Sequence, residues 1–150
     1  MRIVIQRVKR ASVSVEEKVV GSIQKGFLVL IGVGQGDDEA TADKYMKKLL
    51  GLRIFEDENG KMNLSLLDID GELLIVPNFT LYGDARKGRR PGYSGGAAPD
   101  VATVLFDKLC AKAKTMPIKK VATGQFQADM KVALINDGPV TLLLDSEKLF

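Results

Sequence analysis

What most limits the folds open to this chain is the spacing of its short apolar runs. About eight or nine strand-length segments are each closed by a turn signal, and only two stretches carry helical periodicity. Residues 1–8 set Ile3, Ile5 and Val8 against Arg2, Gln6 and Arg7, close to period two, as in a half-buried strand. Residues 12–15 and 19–23 flank Glu16-Glu17-Lys18 in a hairpin pattern. Phe27-Leu28-Val29-Leu30-Ile31-Gly32-Val33 is strand-length and apolar throughout, the character of a buried strand. Asn59-Gly60, between 53–55 and 62–66, is the strongest kind of short hairpin signal. Leu73-Leu74-Ile75-Val76 is a second buried strand, ending at Pro77. Further strands are expected at 118–122, 130–135 and 140–144, the last two joined by a turn at Asp137-Gly138-Pro139.

The first helix is announced by Asp37, Asp38 and Glu39, an N-cap candidate and an acidic first turn. Behind them Ala42, Tyr45, Met46, Leu49 and Leu50 share one face. Pro99-Asp100 opens the second, with Val101, Val104, Leu105, Leu109 and Lys112 along one side. Strands in hairpin order with two long helices predict a single α+β domain over residues 1–150. Its sheets should be mainly antiparallel, in a barrel-like or two-sheet core, with both helices packed on one side. Gly32-Val33-Gly34-Gln35-Gly36 superficially resembles a phosphate-binding fingerprint. It lacks the spacing, and the acidic residues after it would repel a phosphate.

Composition narrows the chemistry further. Hydrophobic and charged fractions of 45% and 27% are those of a folded soluble domain, and exclude disordered and fibrous classes. No apolar run approaches the ~20 residues that cross a bilayer, and Met1-Arg2 enters a strand pattern at once, without a secretory signal. Cys110 is the single cysteine, so no internal disulfide forms, and it reads as a packing residue. A cytoplasmic protein with no membrane partner is expected. The net charge of +3 permits polyanion binding without demanding it. Histidine is absent, which removes Ser-His-Asp and Cys-His catalysis and every His-based zinc site. Neither a metal nor a cofactor is expected, and any hydrolysis must use another device.

Two segments stand out from this scaffold. In Pro77-Asn78-Phe79-Thr80-Leu81-Tyr82, proline cannot donate a ladder hydrogen bond, so the strand bends or ends there. Backbone N–H groups of Phe79 and Thr80 are then available to an ester's developing oxyanion. A strand that simply continues to Leu81 fits the same residues. In Asn136-Asp137-Gly138-Pro139-Val140-Thr141, between two apolar strands, a tight Gly-Pro connection is a place for a cis peptide. Read by itself, the segment fits an ordinary hairpin turn better.

Taken together, several blocks resemble D-aminoacyl-tRNA deacylases. They are residues 1–8, 52–57 and 73–82, Lys87-Gly88-Arg89-Arg90-Pro91, Thr123-Gly124-Gln125-Phe126 with Ala128-Asp129-Met130, and Asn136-Asp137-Gly138-Pro139-Val140-Thr141. They cover essentially the whole chain in order. The resemblance implies that family's fold, an aminoacyl-tRNA substrate, and a homodimer whose active site is shared between subunits. It also implies that Gly138-Pro139 is a Gly-cis-Pro pair reaching into the partner's pocket, where its carbonyl oxygens face the substrate's amino acid. Such a backbone wall excludes an L side chain and makes no demand on a D side chain. A ~1,000-fold preference needs only about 4 kcal/mol. Glycine offers no side chain to reject, so glycyl-tRNA is expected to pass.

The family's first motif carries Ser then Gln where this chain has Pro77 then Asn78, whereas Phe79, Thr80 and Leu81 agree. That departure bears on strict D-specificity, and a relaxed-specificity deacylase is the alternative it raises. The expected catalytic residues are Phe79 and Thr80 through their amides. Pro77, Asn78, Asn136, Gly138, Pro139 and Thr141 are the expected substrate-binding set. The 2′-hydroxyl of the terminal adenosine would help activate water; Thr80 as a covalent nucleophile is the second route and lacks a histidine base. Arg86, Lys87, Arg89 and Arg90, in a Gly-rich loop beside the first motif, are the candidate tRNA-phosphate contacts, with Lys112, Lys114, Lys119 and Lys120 as a candidate extension. A non-catalytic nucleic-acid-binding protein on the same fold is the rival reading.

Overall fold

The two strand patterns at the start of the chain are realised as one strand, β1 (Arg2–Val15), and everything else is arranged around it. The computed structural model describes residues 1–150. After β1 come β2 (Lys18–Ile23), β3 (Gly26–Gly32), α1 (Glu39–Leu50), β4 (Phe55–Glu56), β5 (Met62–Leu64) and β6 (Glu72–Pro77). A 3-10 turn (Phe79–Tyr82), α2 (Pro99–Lys114), β7 (Lys120–Thr123) and β8 (Met130–Asp145) complete the chain.

The main sheet runs β2-β1-β3-β6-β7, with β8 on the other edge of β1. β3 pairs with the first half of β1, from Arg2↔Gly32 to Val8↔Gly26, and β2 with the second half. The sheet curls until β2 meets β7: a Cβ added at Gly21 would lie 3.1 Å from the Thr123 carbonyl oxygen. The result is the expected barrel-like α+β architecture, with a separate β4-β5 hairpin turning at Gly60, where φ is +73°.

Two details differ from the sequence expectation. The sheet is mixed: β1 is antiparallel to its three neighbours, but β3-β6 and β6-β7 are parallel. Parallel neighbours need a long crossover, and α1 with the β4-β5 hairpin supplies one while α2 supplies the other. The turn expected at Asp137-Gly138-Pro139 is absent as a reversal. β8 is one 16-residue strand whose two halves both run antiparallel to β1, bulged between Gln6, Val8 and Arg10. A hairpin would have sent the second half back the other way.

Both helices pack on one face of the sheet. On α1 the five expected apolar residues are all buried, and Asp38 caps the helix by accepting from the Thr41 N–H at 2.8 Å. On α2 the buried stripe is Ala102, Leu105, Phe106, Leu109, Cys110 and Ala113, while Val101 and Val104 face solvent. The expectation followed the bulkier valines; the true stripe keeps helical spacing from the small Ala102. Lys108 pairs with Glu39 and Lys112 with Asp43, joining the helices along their outer sides. Cys110 is buried as a packing residue, and burial pushes its thiol up to about 12.

The helix-side core gathers Ile3, Ile5, Phe27, Val29, Ile31, Leu73 and Ile75. On the opposite face Val8, Val13, Ile23, Leu28, Leu74 and Val76 form a smaller cluster. β3 and β6 are therefore apolar on both sides, which is why they read as unbroken runs. One buried polar knot sits where the chain ends meet. The Met1 ammonium pairs with Asp37 Oδ2 at 2.5 Å and donates to Ser146 Oγ. Asp37 also accepts from the Gly34 N–H at 2.6 Å and the Ser146 hydroxyl at 3.1 Å.

Candidate active site

Because β3, β6 and β7 are parallel, their C-terminal ends lie at the same end of the sheet. The segments that follow them, 33–38, 78–82 and 124–129, form a rim there, the usual position for a ligand on parallel strands. Between the second and third segments opens a cavity of about 410 Å³, walled by Pro77, Asn78, Phe79, Tyr93, Ala97, Phe126 and Gln127 among others. A larger groove of about 610 Å³ shares Pro77, Asn78, Phe79 and Gln127. It continues across the sheet face over Gln6, Leu28, Leu30, Val76, Met130, Val132 and Leu134. Phe79 stands at the junction, 63% exposed, its ring edge-on to Tyr93 at 5.2 Å.

The chain stops being a strand at Pro77, and the reading that continued it to Leu81 does not hold. Pro77 still occupies the ladder opposite Ile31, and the Asn78 N–H donates to the Ile31 carbonyl at 2.8 Å. The backbone then winds into the 3-10 turn, for which Asn78 is the N-cap. Asn78 Oδ1 accepts from the Thr80 N–H at 3.2 Å and from the Thr80 hydroxyl at 2.5 Å. In this structure the Thr80 amide is engaged by its own cap. Phe79 is the first residue of the turn, where an N–H has no partner within a helix. Behind the turn, Arg2 Nη1 donates to the Leu81 carbonyl at 3.0 Å, and its guanidinium lies 4.5 Å above the Tyr82 ring. Burial, reinforced by Asp37, Asp145 and Glu147, holds the Tyr82 hydroxyl well above the usual phenol range.

The second motif is held as firmly, elsewhere. The Gly138-Pro139 peptide is cis, and both residues are exposed. Asn136 bridges the base of the bulge: its Oδ1 accepts from the Val140 N–H at 2.7 Å, and its Nδ2 donates to Thr141 Oγ1 at 3.0 Å. Asn136 and Thr141, expected to bind substrate, thus direct polar groups at each other. Arg7 is only 6% exposed. It donates from Nε to the Asp137 carbonyl at 2.9 Å and from Nη1 to the Ile54 carbonyl at 2.7 Å, pinning the loop from beneath. Neither Gly138 nor Pro139 lines the cavities at Phe79 in its own chain.

The basic loop is pinched at its base by reciprocal Asp84–Gly92 backbone bonds of 2.8 and 2.9 Å. Arg86, Lys87, Arg89 and Arg90 are all exposed on it. Arg86 is turned onto Asp84 at 2.7 Å, which holds that carboxyl well below the usual range. Lys87, Arg89 and Arg90 keep their charge for a partner. Of the suggested extension, Lys112 is paired with Asp43, and Lys120 lies opposite Glu72, at the far end of β6 from Pro77. Sequence reasoning passed over Tyr93, Phe126 and Gln127 as site residues. Gln127 sits at φ +59°, a backbone state that an isolated polar residue does not announce.

The sequence profile of the family described as D-Tyr-tRNA(Tyr) deacylase matches residues 4–145. The chain belongs to this family. It is 60% identical over 150 residues to the D-aminoacyl-tRNA deacylase of Thermosipho africanus, and 57% identical to that of Clostridioides difficile, covering all of both proteins in each pairing. Among solved structures it superposes on the "c-Myc DNA Unwinding Element Binding Protein" with a TM-score of 0.91 and 36% identity, over 97% of this chain and 99% of that one. A "probable eukaryotic D-amino acid tRNA deacylase" shares the fold, with a TM-score of 0.80 at 19% identity over 95% and 97% of the two chains.

Proposed function

We propose that this protein hydrolyses the ester bond of D-aminoacyl-tRNA, releasing free D-amino acid and tRNA, as a quality-control step in translation. The chain is a hydrolase of ester bonds by family membership. The observation that supports the site assignment is the capped 3-10 turn, whose first residue, Phe79, lines a cavity at the parallel strand ends. An aminoacyl ester is already activated, so a preorganised N–H donor at the oxyanion is a sufficient protein contribution. The 2′-hydroxyl of the terminal adenosine then assists the attacking water. Thr80 is not the nucleophile: its hydroxyl donates to Asn78 Oδ1, and the chain contains no histidine to take its proton. Thr80→Ala is therefore expected to hydrolyse D-tyrosyl-tRNA within about tenfold of the parent rate, because the change removes one neutral hydrogen bond. Normal cleavage of a substrate ending in 2′-deoxyadenosine would overturn the substrate-assisted route.

Selectivity falls to Gly138-Pro139, acting in a partner's cavity within a homodimer. Two features support this: the pair lines neither cavity at Phe79 in its own chain, and the groove beside Phe79 leaves an apolar sheet face uncovered. Sedimentation is expected to give twice the chain mass of 16.3 kDa. A wall of backbone cannot reject glycine, so glycyl-tRNA, including glycine mischarged on tRNA(Ala), is a further expected substrate. The acceptor stem is met by Lys87, Arg89 and Arg90. Replacing Lys87 and Arg89 with Gln should weaken tRNA binding and flatten its logarithmic salt dependence. The slope should fall by roughly 0.7 for each single-strand phosphate that is no longer neutralised.

The 36%-identical solved structure bears the name of a DNA-element binding protein, and this favours a second reading: nucleic-acid binding without catalysis. Incubation with D-tyrosyl-tRNA and L-tyrosyl-tRNA separates the readings. Release from the D form alone is expected, equal release from both would make this a relaxed-specificity deacylase, and binding with no release would establish the second reading.

A further inference from the structure

We infer that Pro77 is a positioning residue that holds the site open, because it denies β7 the next hydrogen bond of the β6-β7 ladder. Its geometry is read from main-chain bonding, and its effect on turnover rests on the deacylase reading above. Along β6 the even-numbered residues face β3. The Glu72 N–H donates to the Lys25 carbonyl at 3.0 Å, and the Asn78 N–H to the Ile31 carbonyl at 2.8 Å. The odd-numbered residues therefore face β7, where the Ile75 carbonyl accepts from the Gly124 N–H at 2.8 Å. In a parallel ladder the next bond of this series runs from the N–H of residue 77 to the Gly124 carbonyl. Proline has no N–H to give. The Gly124 carbonyl accepts from no main-chain N–H, and β6-β7 pairing ends at Ile75↔Thr123, whereas β3-β6 pairing continues to Ile31↔Pro77.

The missing bond falls where the cavity begins. Beyond Gly124 the chain leaves the sheet, and segment 124–129 brings Phe126 and Gln127 to the wall that Asn78 and Phe79 share. The proline ring also fills the seam at that point. A Cβ added at Gly124 would lie 3.2 Å from Pro77 Cδ and 3.5 Å from Val76 Cα, so the glycine is packed against the strand it is leaving. Proline is normally kept from a strand with neighbours on both sides. Here it is tolerated because the side without a donor faces the neighbour that departs. Pro77 is buried and lines both cavities. Any other residue in its place sets a buried N–H opposite a free carbonyl, and a buried N–H takes a partner. Closing that bond draws residues 124–127 toward the 3-10 turn and narrows the gap that the aminoacyl end of the substrate must enter.

Pro77→Ser and Pro77→Ala both restore the N–H and differ in the side chain, so together they isolate the main-chain effect. With the full-length protein and D-tyrosyl-tRNA, both are expected to raise KM about tenfold or more while kcat stays within about threefold, the pattern of lost binding rather than lost chemistry. Both should melt within about 4 °C of the parent, since the hydrogen bond gained offsets the greater freedom of the unfolded chain. A crystal structure of the serine variant should show the nitrogen of residue 77 within about 3 Å of the Gly124 carbonyl oxygen. A nitrogen left more than about 3.5 Å from that oxygen overturns the inference, as does a KM within about twofold of the parent in both variants. A serine variant that keeps the parent's KM while alanine loses it assigns the effect to the side chain, and overturns it equally. Failure of the parent protein to release D-tyrosine would instead overturn the deacylase reading, while the crystal structure still decides whether Pro77 holds β7 away.

Discussion

Gly138→Ala is expected to lower the preference for D- over L-tyrosyl-tRNA by about tenfold or more, equivalent to losing roughly 1.4 kcal/mol of discrimination. The reason lies in space and in backbone conformation. Gly138 has φ +143°, a region essentially closed to residues with a Cβ. A methyl there would sit 2.7 Å from Val140 Cγ2 and 2.9 Å from the Val140 nitrogen. The valine methyl can turn away, but the nitrogen is main chain and its N–H is held by Asn136 Oδ1. The loop must therefore shift, and its carbonyl oxygens shift with it. Because the Phe79 turn lies on other strands, hydrolysis of the D substrate should change far less than discrimination against the L substrate. Parallel initial rates on both substrates provide the check, and an unchanged D-to-L ratio would remove Gly138-Pro139 from the role of chirality screen.

The second large effect is on stability. Asp37→Ala is expected to destabilise the protein by about 3–5 kcal/mol, the usual result of stripping one partner from a buried ion pair. Asp37 is 6% exposed at its side chain, and the Met1 side chain of its partner is fully buried. The same carboxylate holds the Gly34 N–H and the Ser146 hydroxyl, so its removal frees both chain ends and the segment leading from β3 to α1. For a chain of this length each kcal/mol moves Tm by about 2–4 °C, giving an expected fall on the order of 10 °C. Asp84→Ala is the natural comparison. Its partner Arg86 is 89% exposed, and such pairs contribute little, so its Tm should match the parent's. If the two variants melt together, the buried pair is not the tie described.

Much of this architecture was legible in the residues. Alternation over 1–8, the Asn59-Gly60 hairpin and the stripe from Ala42 to Leu50 are local signals, and the structure keeps all three. Strand direction was not legible. β3 and β6 are apolar on both faces whichever way they run, and only the crossover through α1 makes them parallel neighbours. The site depends on that direction, because it gathers segments 78–82 and 124–129 at one end of the sheet. Residues met at such a junction, Tyr93 and Gln127 among them, carry no periodicity of their own. The α2 stripe was misplaced for a simpler reason: Ala102 is small, and size dominated the choice of face over Val101 and Val104.

The Asn136 to Thr141 bulge interrupts a strand that otherwise runs beside β1 from end to end. For the chirality screen proposed above, that siting sets how firmly an L side chain is refused. A steric filter fails by yielding: a wall that recedes by a fraction of an ångström admits what it was shaped to exclude. Mounted on a floppy surface loop, Gly138-Pro139 would recede at every thermal excursion. Flanked on both sides by the longest ladder of the molecule and gripped by Arg7 and Asn136, it is anchored to strands that part only as the whole domain opens. Amides flanking the bulge should be among the slowest to exchange with solvent. For the proposed screen, fidelity is then a matter of stiffness, inherited from the fold.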